Sequence, residues 1–492
     1  MAHTMYHRPP RRKLLIKLIA TYAGLTLLVL AIVTFISLFV LGFRFDVDKG
    51  HIEQYAFLQF DSSPSGASVT VDGASVGMAT PNKTSLPAGK HEVVMKRDGY
   101  ETWAKSVDAK AGVITWLNYT LLVPSKLVVE PIANYESVYL SLTSPKGRSM
   151  LVQRLAETPT FSLVDLSSDT TKSIELTIPA NLYSQASTVG VTHTFQIDKW
   201  DDGGRYVLVK HTYGNNNEWL VLDTQNATLT KNITVQSGVN FSKIVFFGPS
   251  GNLFYVLDSG AIRKLDLSTN INSRPLVSNV TSFEIYESNV IAYVGVTATS
   301  ADKRVVGLYR DGDDRSYILR TVTSSKDIPL NIASTHYFNE DYVAIAEGKN
   351  VDILAGSYPN TASDDVTSLK IFASFETKED VRELMFSPIG QYVFIQSGAY
   401  FASYDLEYQT FASSTIKGTG VVSKLKWLDD NYVWSDQGGS LSICEFDGTN
   451  AHIINSVLAG QDVALTHNGR YLYSINKASV GFQLQRVRMI LP

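Results

Sequence analysis

The chain has 492 residues, 44% hydrophobic and 18% charged, a balance that supports packed cores and excludes general disorder. Its formal net charge is −4; five basic residues fall in the first 17, so the remainder carries 38 Lys and Arg against 47 Asp and Glu, which removes any electrostatic reason to bind nucleic acid. With a single cysteine, Cys444, no internal disulfide framework is available and the fold has to rest on burial alone.

Residues 1–17 form a short basic tail containing Arg8, Arg11, Arg12, Lys13 and Lys17. The uncharged stretch Leu18–Phe43 follows, 26 residues long. As a helix it spans about 39 Å, against a hydrocarbon core of about 30 Å, and the spacing predicts a transmembrane helix. Arg44 and Lys49 after it are mixed with Asp46, Asp48 and Glu53. The basic flank predicts a cytoplasmic N-terminus and an extracytoplasmic remainder at the cell membrane, with the membrane as a partner through 18–43. A cleaved signal peptide is the competing reading, with Val40 and Gly42 as its small-residue signal; its apolar region would be shorter, about 7–15 residues. Residues 44–54 read as a juxtamembrane linker. Within it Asp46-Val-Asp48-Lys-Gly50 has part of a calcium-loop pattern but lacks the closing Glu, Phe57 standing in its place.

Residues 55–123 have the rhythm of a small β-sandwich. Strands are expected at Tyr55–Phe60, Ala67–Val71, Glu92–Lys96, Trp103–Val107 and Val113–Leu122, with Asp72-Gly73 as a hairpin turn and further turns at Thr80-Pro81 and Leu86–Gly89. The run Pro64-Ser65-Gly66-Ala67, then Asp72-Gly73, Pro81, Gly89 and Gly99-Tyr100, resembles the PEGA domain, with Ser65 where that family's name has Glu. The resemblance implies a compact all-β module of prokaryotic envelope proteins and carries no catalytic residues; Tyr100 and Trp103 are its expected core. Gly73-Ala-Ser75-Val-Gly77 matches a G-x-S-x-G nucleophile elbow in letters, but no helix follows and the reading is a polar turn.

Residues 126–492 read as repeats of a strand, a turn, a second strand and a third strand, the third often ending in an acidic or aromatic residue. The ends fall at Asp165, Asp223, Asp266, Tyr309, Leu354, Asp405, Phe446 and Arg486, a mean spacing of about 46 residues, within the range of four-stranded propeller blades. The overall expectation is a mainly β chain: an N-terminal transmembrane helix, a PEGA-type β-sandwich, then a β-propeller of about eight blades, with seven as the alternative. The architecture is similar to the looser bacterial propellers of TolB and WD-repeat type. The last unit has three strands, so the apolar segment Leu127–Ile132 is expected to complete its blade and protect its edge. Cys444 is expected as a packed strand residue.

Chemistry is sparsely marked. HExxH, CxxC, P-loop and GxGxxG patterns do not occur, and no cofactor or catalytic residue is assigned. Acidic pairs at Asp201-Asp202, Asp313-Asp314, Asp364-Asp365 and Asp429-Asp430 read as turns that open strands. Asp311, Asp313 and Asp314 are the candidates for a metal site. His211–Asn217 and Thr297–Arg304 are expected as long loops, where binding residues gather. The leading function is therefore a tethered binding or scaffold protein for an envelope protein, peptide or glycan; the alternatives are a propeller hydrolase acting on envelope polymers and a structural surface-layer spacer.

Overall fold

A computed structural model describes residues 11–46, 50–186, 190–286, 289–298, 300–358, 368–418 and 424–492. They divide into two units, Met1–Ser125 and Lys126–Pro492.

The first unit begins with a helix, Arg11–Val40. Its segment Leu15–Val40 is long and apolar enough to cross a membrane, and protein covers none of its most apolar stretch. A helix apolar on every face has no polar side to give to water, as a membrane span requires. It stops short of the expected Phe43. Gly42 turns the chain with φ +87°, and Phe43–Asp46 is already a strand. This strand pairs antiparallel with the start of His51–Ser63, Phe43 opposite Gln54 and Asp46 opposite His51. Tyr55 N–H donates to Gly42 O at 2.9 Å, and Gln54 Nε2 donates to Leu41 O at 2.9 Å. The stretch expected as a linker is thus a hydrogen-bonded extension of the sandwich; of the calcium-loop reading, Asp48 lies outside the described residues.

Two sheets make the sandwich. One joins Phe43–Asp46, His51–Ser63 and Asn82–Pro87, with Ile114–Leu121 parallel to His51–Ser63. The other runs in the order Ala74–Ser75, Ser68–Val71, Gly89–Lys96, Trp103–Ala109. Leu58, Phe60, Val69, Met95 and Trp103 are buried in the core, and Tyr100 is 9% exposed. Asp72 (φ 49°) and Gly73 (φ 79°) form a two-residue turn with Val71 opposite Ala74, the mirror-type turn that suits hairpin twist. The Thr80 hydroxyl accepts from Gly66 N and Ala67 N, both at 3.0 Å, so Thr80-Pro81 closes the loop that begins at Pro64. Asn82–Pro87 is an edge strand, where the sequence reading has a turn at Leu86-Pro87 and no element for residues 82–85. Leu86 alone among its side chains is buried, so no apolar alternation marks it.

Among the described residues the second unit holds eight successive antiparallel sheets, each of at least four strands. In chain order their first strands are Leu140–Thr143, His193–Trp200, Lys243–Phe246, Val280–Tyr286, Leu330–Tyr337, Glu383–Phe386, Lys426–Trp427 and Ala464–Leu465. Second strands such as Val207-Leu208-Val209 and Val393-Phe394-Ile395 are buried throughout. Each lies mid-sheet with a neighbouring sheet against both faces, which is why they read as unbroken apolar runs. Apolar clusters join sheet to sheet: Leu151 and Phe161 with Val207 and Leu220, then Leu208 and Trp219 with Phe254 and Val256. The last sheet packs on the first through Tyr471, Tyr473 and Ile475 against Met150 and Val152. Asp462 completes the join, its N–H donating to Ser141 Oγ and its carboxylate accepting from Thr143 N, both at 2.8 Å. A ring of radial sheets closed in this way is a β-propeller. The final sheet takes its fourth strand from Val129–Tyr135, Val129 opposite Val487 and Tyr135 opposite Phe482. The clasp lies two to three residues beyond Leu127–Ile132.

Candidate functional site

The acidic residues singled out by the repeats act on their own backbone. Asp165, Asp223, Asp266 and Asp405 end the third strands of four sheets, and in each Oδ1 accepts the N–H two residues on, from Ser167, Gln225, Ser268 and Glu407 at 2.8–3.0 Å. Asp201 accepts from Arg205 N and Tyr206 N, and Asp429 from Asn431 N and Tyr432 N. Asp364 and Asp365 lie outside the described residues. Asp311 pairs with Lys264, and Asp314 is exposed. Among the described residues no group of three or more His, Cys, Asp or Glu is placed to hold a metal ion. Ser75 lies exposed in a two-residue strand and its hydroxyl accepts from Gly77 N. Cys444 is half-buried in the strand Ser440–Glu445, and burial, with Asp447 and Glu445 nearby, pushes its thiol up to about 12.

Neither expected long loop is one. His211–Tyr213 end the strand Tyr206–Tyr213, and Asn216 and Asn217 begin Asn216–Asp223, leaving a two-residue turn. Val290–Thr297 and Ser300–Arg310 likewise pair up to Thr297 opposite Ser300, with residue 299 outside the described residues. The second sheet, which gains the first of these extensions, carries polar groups on both faces.

On the face toward the third sheet lies a cavity of about 490 Å³. Its walls come from the first strands of the second, third and fourth sheets, the strands nearest the ring axis, and from Lys210 and Trp219 further out. Lys210 stands opposite Gln196 on one neighbouring strand and Trp219 on the other. The register shifts between Ile197 and Lys199, a bulge that sets Asp198 and Lys199 side by side at the rim. Lys243 Nζ donates to Glu284 Oε1 at 2.7 Å and to Phe283 O at 2.6 Å, so its charge is answered. Lys199 and Lys210 form no ion pair among the described residues; Lys210 Nζ lies 5.9 Å from the Trp219 ring centroid. The protein mass around Asp198 raises its carboxyl above the usual range, an effect offset by Lys199, Lys243 and Lys210.

On the opposite face, Glu218 and His211 are buried. His211 Nδ1 lies 2.8 Å from Glu218 Oε1, and His211 Nε2 lies 2.9 Å from His193 Nδ1. Ser184, on the connection from the first sheet, donates its N–H to Glu218 Oε1 at 2.8 Å and its hydroxyl to Oε2 at 2.7 Å. Phe195 stacks on His211 with centroids 4.4 Å apart. Burial pushes the Glu218 carboxyl upward, but hydrogen bonds from His211, Asn232 and Ser184 outweigh it and hold the group at about 2. These bonds pin the connecting segment to the second sheet.

Of these groups the sequence singles out only His211, as the start of an expected loop, although one further signal was available. Six residues beyond the glycine that closes the first turn of a sheet (Gly147, Gly204, Gly251, Gly390, Gly469) stand Gln153, Lys210, Leu257, Gln396 and Ile475. This position faces the following sheet: Gln153 Nε2 donates to Phe195 O, and Gln396 Oε1 accepts from Leu425 N. Leu257 and Ile475 pack there instead. Lys210 is the charged member of the set.

A helix long and apolar enough to span a membrane, a two-sheet sandwich and a closed ring of sheets define a β-propeller protein with a small all-β module ahead of it. Residues 57–123 match the PEGA domain. No curated protein matches the sequence. Similar solved structures include Kluyveromyces lactis Hsv2, at 9% identity and TM-score 0.38, covering 72% of this chain and 98% of that one. An oligogalacturonate lyase in complex with manganese aligns at 10% identity and TM-score 0.39, covering 75% and 98%. The yeast heterotrimeric Nup82-Nup159-Nup116 nucleoporin complex aligns at 10% identity and TM-score 0.43, covering 67% and 99%.

Proposed function

We propose that this is a single-pass membrane protein with its N-terminus in the cytoplasm and its sandwich and propeller outside, and that the propeller is a recognition platform for an envelope protein, peptide or glycan. The basic residues before the helix support this orientation, and so does the PEGA match, since that module implies an envelope location. The observation that carries the binding reading is the cavity at the inner edge of the ring. It has the size of a small-ligand site and holds two cations, Lys199 and Lys210, not matched by ion pairs among the described residues. Asp201 and Asp429, by contrast, are spent on turns, and Glu218 on His211 and Ser184. Those arrangements favour binding over the hydrolase reading. The direct hydrogen bonds between the helix end and the sandwich suit a stalk that holds its position above a membrane.

Two measurements test the reading. A reporter active only in the cytoplasm, fused after Pro492, should stay silent; activity there overturns the orientation. Cross-linking of the full-length protein in native membranes should give adducts on residues 126–492. Adducts confined to 44–125 would make the small module the reader and the propeller a spacer.

A further inference from the structure

We propose that the cavity between the second and third sheets binds a small molecule bearing one carboxylate, held by the ammonium groups of Lys199 and Lys210. The proposal rests on the binding reading above and gives it a ligand class. Two observations carry it. At the first-to-second and sixth-to-seventh junctions a glutamine side chain crosses to the next sheet and fills the position with backbone hydrogen bonds. At the second-to-third junction Lys210 occupies that position, no such bond forms among the described residues, and the cavity opens there. Lys210 is half-buried there and has no ion pair among the described residues, so a bound anion gives its ammonium a partner.

Charge selects the ligand. Lys243 and Glu284 neutralise each other, which leaves Lys199 and Lys210 against Asp198, a surplus of one positive charge. That surplus matches a carboxylate and is too small for a phosphate dianion beside Asp198 and Glu284. Gln196 and Ser242, both exposed in the lining, supply an amide and a hydroxyl to hydrogen-bond hydroxyl groups on the same molecule. A cavity of about 490 Å³ admits a molecule the size of gluconate.

Calorimetric titration of the full-length protein in detergent with gluconate, glucose and inorganic phosphate tests this. Gluconate should bind saturably, more weakly as salt rises, while glucose should not bind and phosphate should bind at least tenfold more weakly than gluconate. Lys199→Gln and Lys210→Gln should each weaken gluconate binding by tenfold or more. Lys210→Gln should also raise the midpoint of thermal unfolding, because it installs the crossing glutamine of the other two junctions; that rise separates loss of the site from loss of the fold. No binding of gluconate, equal binding of glucose, phosphate binding as tightly as gluconate, or unchanged affinity in both variants would each overturn the proposal. If cross-linking to the propeller persists in the Lys199→Gln/Lys210→Gln double variant, the platform reading survives the loss of this site.

Discussion

Trp103 is 1% exposed, within a module of about 70 residues whose core is small, so truncating it leaves a void the sandwich cannot close. Trp103→Ala should cost about 3–5 kcal/mol, read as loss of the sandwich transition in urea while the propeller transition stays put; a cost under about 1 kcal/mol would remove the ring from the core. Glu218 makes a different kind of statement. Its carboxyl falls from 4.5 to about 2 on folding, so its stabilising contribution is complete above pH 4.5 and is lost as pH drops toward 2. The propeller should therefore weaken across that window by up to about 3 kcal/mol, and Glu218→Gln should flatten the dependence while lowering stability at neutral pH. Asp405 has the opposite sign: burial first, with Glu407 nearby, raises its carboxyl to about 6 against hydrogen bonds from Tyr408, Gln391 and Glu407, so the stability it lends is present below pH 3.8 and disappears as pH rises through 6. Turn-capping aspartates and the aromatic pair Tyr100 and Trp103 could be read from local chemistry, since an Asx turn or a motif aromatic is decided within a few residues. Lys210 and Glu218 could not, because their meaning depends on which face of a strand meets which neighbouring sheet.

At the scale of elements, apolar strands were legible and polar ends were not. The third strands were placed within two residues of their observed ends, helped by the acidic cap that stops them. Asn82–Pro87 and the extensions through His211–Asn217 were lost because Asn, Lys, Thr, Ser and His there carry no alternation, and pairing with a neighbour holds them extended. The helix end was misplaced for a related reason. Hydropathy continues to Phe43, but Gly42 turns the chain at positive φ, where an added Cβ would lie 2.9 Å from Phe57 Cε2 and 3.0 Å from Tyr55 O. Gly42→Val should therefore break the junction between helix and sandwich. The expected result is protease sensitivity at residues 41–55 in detergent, with the urea midpoint of the propeller unchanged; an intact junction would show that the turn tolerates a side chain.

For the whole molecule the decisive element is the clasp. Val129–Tyr135 and Phe482–Arg488 are about 350 residues apart in sequence, yet they pair over six partners and are locked by Arg486 Nε donating to Glu130 Oε2 at 2.8 Å. Arg486 also reaches the first sheet, donating to Asp169 O at 2.9 Å, so one side chain ties the last strand to both the clasp and the next sheet. Pro131 is compatible with this strand because it lies on the outer edge of its sheet, beside a register shift between Leu484 and Gln485. Closing a loop of this length costs conformational entropy that grows only slowly with chain length, and the pairing plus the Tyr135 contacts in the joint between last and first sheets offset it. Deleting residues 126–135 should remove the fourth strand, expose the N–H and C=O groups of Phe482–Arg488 and open the joint between the eighth and first sheets. The expected outcome is aggregation of the detergent-solubilised protein by light scattering and a lower, broader thermal transition. Glu130→Gln should give a smaller shift of the same sign, since it weakens the lock and keeps the strand. Replacing the helix Arg11–Val40 by a soluble tag should leave the propeller transition where it was. A deletion variant that stays monomeric with an unchanged transition would show that the ring holds without its clasp.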